Sequence, residues 1–75
     1  MFIFYGWVSQ EEDGRVGFTA MVGVDTDNED DALIAGSAHL RVLTRMEVET
    51  LGVRPADKEE EENFRDVGNY VTPLT

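Results

Sequence analysis

The sequence predicts an α+β fold: a small antiparallel three-stranded sheet with one packed helix, in the order strand–strand–helix–strand, followed by a short acidic C-terminal helix or tail. Three observations predict it. Two strand-forming runs flank the acidic turn Glu11-Glu12-Asp13-Gly14, apolar residues from Ala32 to Leu43 recur at helical spacing, and a third strand-forming run is closed by Pro55. The 75 residues contain no cysteine, so one core must hold the chain without a disulfide or a thiolate–metal staple. Residues 1–55 are expected to form the compact domain, with 56–75 packed on it or extending from it.

Residues 1–9 are aromatic and β-branched, with Ile3, Tyr5 and Trp7 on one face and Phe2, Phe4 and Val8 on the other. Both faces are apolar, which predicts a strand that is central or covered on both sides. From Arg15 to Val24, Val16, Phe18, Ala20, Val22 and Val24 alternate with Gly17, Thr19, Met21 and Gly23, so the first two strands form a hairpin. In the loop that follows, Asp27 or Asn28 can cap a helix, and Glu29, Asp30 and Asp31 suit the positive end of its dipole. The narrow stripe Ala32, Ala35, Gly36 and His39 lets that helix lie close to the sheet. Residues 45–54 read as the third strand, with Met46 and Val48 inward and Glu47 and Glu49 outward. The pattern then shifts to Leu51 and Val53, which predicts a bulge near Thr50. Asp57-Lys58-Glu59-Glu60 is a capping arrangement for a short helix anchored by Phe64 and Val67 and stopped at Gly68. Tyr70, Val71 and Leu74 suffice for an edge strand or a partner contact.

Sixteen acidic residues against six basic ones give a formal net charge of −10. Such a surface repels nucleic acid and anionic membranes, and is attracted to basic grooves, most of which belong to proteins that handle DNA or RNA. The N-terminal run Met1–Val8 is too short to span a bilayer and lacks a basic flank, so it reads as a buried strand of a cytoplasmic protein. No catalytic set accompanies the charge: His39 is the one imidazole, and it lies on the helix stripe expected to face the sheet. An enzyme is not expected, nor is any cofactor. The loop 25–31 has oxygen side chains at alternate positions, as calcium loops do, but lacks the mid-loop glycine and the glutamate at position twelve. Helix capping is the preferred reading, and no metal is expected.

The acids form three groups with strand carboxylates between them: Glu11, Glu12 and Asp13; Asp27, Glu29, Asp30 and Asp31; Glu47 and Glu49; and Glu59, Glu60, Glu61 and Glu62. Two readings fit equally. The carboxylates keep the protein soluble, or a rigid array of them imitates nucleic-acid phosphates and engages arginine and lysine of a partner.

Phe18-Thr19-Ala20-Met21-Val22-Gly23-Val24, then Glu29-Asp30-Asp31-Ala32-Leu33, then Met46-Glu47-Val48 and Val53-Arg54-Pro55, resemble the small early bacteriophage inhibitor of bacterial RNA polymerase over roughly residues 2–56. The resemblance implies a strand–strand–helix–strand domain with an acidic strip and docking arginines on its last strand. Arg54 matches one of these through its Val-Arg-Pro setting, and Gly52 stands where the other falls. Gly36-Ser37-Ala38-His39 and the strand after it are similar to the LX-type ribosomal protein domain, whose RNA binding a −10 surface opposes.

The expectation is a phage-type interaction protein in the host cytoplasm that binds and inhibits a host nucleic-acid-handling protein with a basic groove. RNA polymerase and a CRISPR or restriction nuclease are compatible targets, and direct binding to nucleic acid or membrane is not expected. Arg54 and exposed aromatics such as Tyr70 would add specificity. The alternative is a non-enzymatic assembly subunit that self-associates through strand edges, and a homodimer is compatible with either.

Overall fold

A computed structural model of the chain describes residues 1–10 and 16–73. Its elements run β1 (Phe2–Ser9), β2 (Gly17–Val24), α1 (Glu29–Thr44), β3 (Glu47–Pro55), α2 (Lys58–Asp66) and β4 (Tyr70–Val71). The hairpin forms with an unbroken antiparallel register, from Phe2 opposite Val24 to Ser9 opposite Gly17. Its turn, Glu11–Gly14, lies outside the described residues.

The sheet differs from the expected three antiparallel strands. It has four, in the order β3-β1-β2-β4, and it is mixed because β4 pairs parallel to β2. The chain crosses the sheet twice. From β2 it passes over β1 through α1 to β3, and from β3 it returns past β1 and β2 through α2 to β4. These crossings run in opposite directions, so helices on opposite faces give both the same hand, as strand twist demands.

The faces follow from the pleat. Phe4 and Val22, which stand opposite each other, pack with Val8, Val24 and Val48 against Ala32 and Leu40 of α1. The α1 helix comes close because Gly36 rests on Phe4: a Cβ there would lie 2.5 Å from the Phe4 Cβ and Cγ. On the other face, Ile3 is fully buried opposite Gly23, whose missing side chain leaves room for Phe64 of α2 and for Met1. The central strand β1 is therefore covered by α1 on one face and, at its Ile3 end, by α2 on the other.

The α2 helix runs across the strands. Its nine residues span ~13.5 Å, close to the ~14 Å of three strand spacings. Its contacts march in sheet order: Glu60 to Arg54 on β3, Glu61 to the Met1 amine before β1, Phe64 to Gly23 on β2. At its end Gly23 donates to the Asn69 carbonyl at 3.0 Å and Asp25 to that of Val71 at 2.9 Å, which docks β4.

The bulge falls where the pattern shifts: Tyr5 faces Gly52 and Gly6 faces Thr50, which leaves Leu51 as the extra residue. Asn28 caps α1 and Asp57 caps α2, the latter with a reciprocal capping box to Glu60. Four apolar residues behave differently from expectation. Leu43 is 65% exposed because α1 turns its last-turn flank outward, and Val67 ends α2 pointing into solvent. Val16 and Phe18 point to the α1 face but stay exposed, since α1 lies over β3, β1 and the buried end of β2.

Gly68 has φ +73° with no atom within 4 Å of where a Cβ would stand. Gly68→Ala is therefore expected to cost about 1 kcal/mol through backbone conformation alone, readable as a lower urea midpoint with an unchanged slope.

Candidate acidic interaction surface

The two crossovers gather charge at one end of the sheet, where β2 and β3 finish and both helices begin. Thirteen of the acids lie among the described residues, and eleven of them are at this end: Asp25, Asp27, Glu29, Asp30 and Asp31 on the loop and first turn of α1, then Asp57, Glu59, Glu60, Glu61, Glu62 and Asp66 around α2. Chain order alone separates these groups by some thirty residues. The fold joins them through the Arg65–Asp25 ion pair at 3.1 Å, which ties the last turn of α2 to the end of β2.

The acids divide by task. Asn28 accepts the Asp31 amide at 3.1 Å and Thr26 accepts the Asn28 amide at 3.1 Å, so the oxygen-rich loop is organised around the helix start. Among the described residues, no three histidines or carboxylates come together as a metal cluster. Glu60 is the most constrained carboxylate. It receives both Arg54 Nη atoms, at 2.8 and 2.6 Å, and also the Asp57 amide at 3.3 Å. Glu61 meets the Met1 amine at 3.3 Å. Asp27, Glu29, Asp30, Glu59, Glu62 and Asp66 are exposed, and no ion pair forms on them among the described residues.

This geometry changes the role of Arg54. The resemblance implies an arginine offered to a partner, whereas here the guanidinium is held in a two-pronged bond to the neighbouring helix. The Arg54 hydrogen bond and then the Asp57 amide hold the Glu60 carboxyl down from its ordinary 4.5 to about 2. The Arg54 guanidinium is correspondingly raised by the same bond. A carboxyl depressed in the folded state stabilises it above the unfolded value, and that contribution fades as pH falls from about 4.5 towards 2. A pH titration by carboxyl NMR is expected to find Glu60 shifting near pH 2, and Arg54→Met is expected to raise it towards the ordinary glutamate range, with the Asp57 amide still holding it partly down.

Glu47 and Glu49 stand apart from this end. They lie on β3 opposite Ser9 and Trp7, on the sheet face that α2 leaves uncovered. Sequence reasoning did not single out the aromatic pair there. Trp7 lies over Gly17 and Tyr5 over Gly52, each filling the space of a missing side chain. Alternation put both on one face, but their openness depends on how far α2 reaches. Tyr70 sits on β4 beside Gly23, partly exposed next to the acidic end. Glu11, Glu12 and Asp13 lie outside the described residues.

His39 is half-buried along a groove between α1 and the segment after β4, lined by Ile34, Ala38, Val42, Val71 and Pro73. The hydroxyls of Ser9 and Ser37 donate to the carbonyls of Val16 and Ile34. No helix among the described residues is long and apolar enough to cross a membrane. Compared with protein-family models, with curated proteins and with solved structures, the chain matches none of them.

Proposed function

We propose that this chain is a small acidic, phage-type binding protein, without catalysis of its own, that occupies a basic surface of a host nucleic-acid-handling protein and inhibits it, in part by imitating a phosphate array. One observation carries the reading: eleven of the thirteen described acids share one end of the fold, against Arg54, Lys58 and Arg65. Two of those three cations are already committed to Glu60 and Asp25, so they do not offset the exposed carboxylates as mobile counter-charges. Helix starts account for the first-turn acids Glu29, Asp30, Asp31, Glu59, Glu60 and Glu61, and Asp25, Glu62 and Asp66 add to the same end beyond that need. Convergence supports steering towards a cationic groove, where field strength grows with local charge density.

Glu29, Asp30 and Asp31 would engage the partner from α1, and Glu59 and Glu62 from α2, with Tyr70 at the border. Arg54 acts by holding α2 in place. RNA polymerase remains one candidate target through the sequence resemblance, alongside CRISPR and restriction nucleases. The test is affinity capture from host lysate at low and high salt, with the native chain and a variant whose five acids are changed to amides. Recovery of a DNA- or RNA-binding enzyme by the native chain alone, and only at low salt, supports the reading. Equal recovery by both chains contradicts it.

A further inference from the structure

The β4 strand pairs with only the last two residues of β2, and among the described residues no strand pairs with the rest of that edge. The odd-numbered residues of β2 turn their backbone groups away from β1, because Gly23 and Asp25 donate to β4 and the β1–β2 register is unbroken. Gly17, Thr19 and Met21 therefore direct N–H and C=O groups outward, and none of these has a backbone partner beyond the hairpin among the described residues. The same stretch is apolar at its surface, with Phe18 48% and Met21 55% exposed. It is also uncharged: from Val16 to Val24 there is no acidic or basic residue. In a chain of net charge −10, an uncharged edge is where a like-charged copy can approach.

We propose that two copies of this chain pair through β2, antiparallel, about a two-fold axis at Thr19. This goes beyond the binding reading above and does not depend on it. The register sets Gly17 opposite Met21 of the second copy and Thr19 opposite its counterpart, so every outward group of the three residues is bonded on both copies. No longer pairing fits, because β4 occupies the edge from Gly23 onward. Side chains agree with this register. The Trp7 ring lies over Gly17, 3.0 Å from where a Cβ would be, and the thioether of the partner's Met21, which stands across from Gly17, reaches that ring. Phe18 gains cover beside Ala20 of the second copy. The two-fold axis also sends the acidic ends in opposite directions, which keeps their repulsion small and leaves both open.

The test is sedimentation equilibrium together with amide exchange on the full chain. Pairing should strengthen with salt, since screening weakens repulsion between two negative chains, and be clear at about 0.5 M NaCl. The Thr19 amide should then exchange at least about tenfold more slowly at high than at low protein concentration, while that of Gly23 should not change. Met21→Lys adds charge at an exposed position and should abolish pairing. Thr19→Pro removes an outward N–H without deleting a hairpin bond and should do the same. A native chain that stays monomeric at millimolar concentration in high salt overturns the proposal. A folded Met21→Lys chain that pairs like the native one also overturns it, whether or not Thr19→Pro folds.

Discussion

Phe4→Ala is expected to cost about 3–5 kcal/mol, the usual range for emptying a buried phenylalanine site. A chain of 75 residues holds only about 4–11 kcal/mol in total, so this variant should be largely unfolded at moderate urea. Phe4 is fully buried and touches α1 where Gly36 admits no side chain. The complementary change, Gly36→Leu, should also destabilise, because its Cβ alone would stand 2.5 Å from Phe4. Better helix propensity, about 1 kcal/mol, offsets only part of that overpacking. The two together should recover part of the loss, since the leucine enters the space the ring leaves. A double-mutant cycle in urea should thus give an interaction energy of at least about 1 kcal/mol favouring the pair. Strict additivity would show that α1 does not contact β1 at this point.

The second large effect concerns the acidic end. Changing Glu29, Asp30, Asp31, Glu59 and Glu62 to their amides halves the net charge from −10 to −5. Association with a cationic partner should slow by about 10–10³-fold. Stability should change much less, because two effects oppose. The first turn of α1 loses carboxylates that complement its dipole, at about 0.3–1 kcal/mol each, while crowding among the α2 acids is relieved. Circular dichroism on the same samples separates lost binding from lost fold.

How much of this the residues announce depends on the range of the interaction. The hairpin, the α1 start and the bulge were legible because alternation, capping and a pattern shift are local signals in β1, β2, Asn28 and Leu51. The docking of α2 was not, since it rests on Gly23 being empty beneath Phe64, forty-one positions away. For β4, two residues carry no periodicity, and its parallel partner follows only once α2 has crossed the sheet. The acidic end shows the same limit. Each carboxylate group was visible in the chain, but their meeting depends on the two crossovers and on the Arg65–Asp25 tie. Arg54 was read as a docking residue through its Val-Arg-Pro setting. The capping box that brings Glu60 back towards it was in the sequence, and it was the signal that could have corrected that reading.

The convergent carboxylates are proposed to engage a cationic protein surface. The most direct measurement is the affinity of the native chain for its captured, purified partner as NaCl is raised, beside the five-amide variant. A steep fall is expected for the native chain and a shallow one for the variant, the two meeting at high salt. Parallel curves of equal affinity would contradict that engagement, and would leave the charge as a hydrated coat.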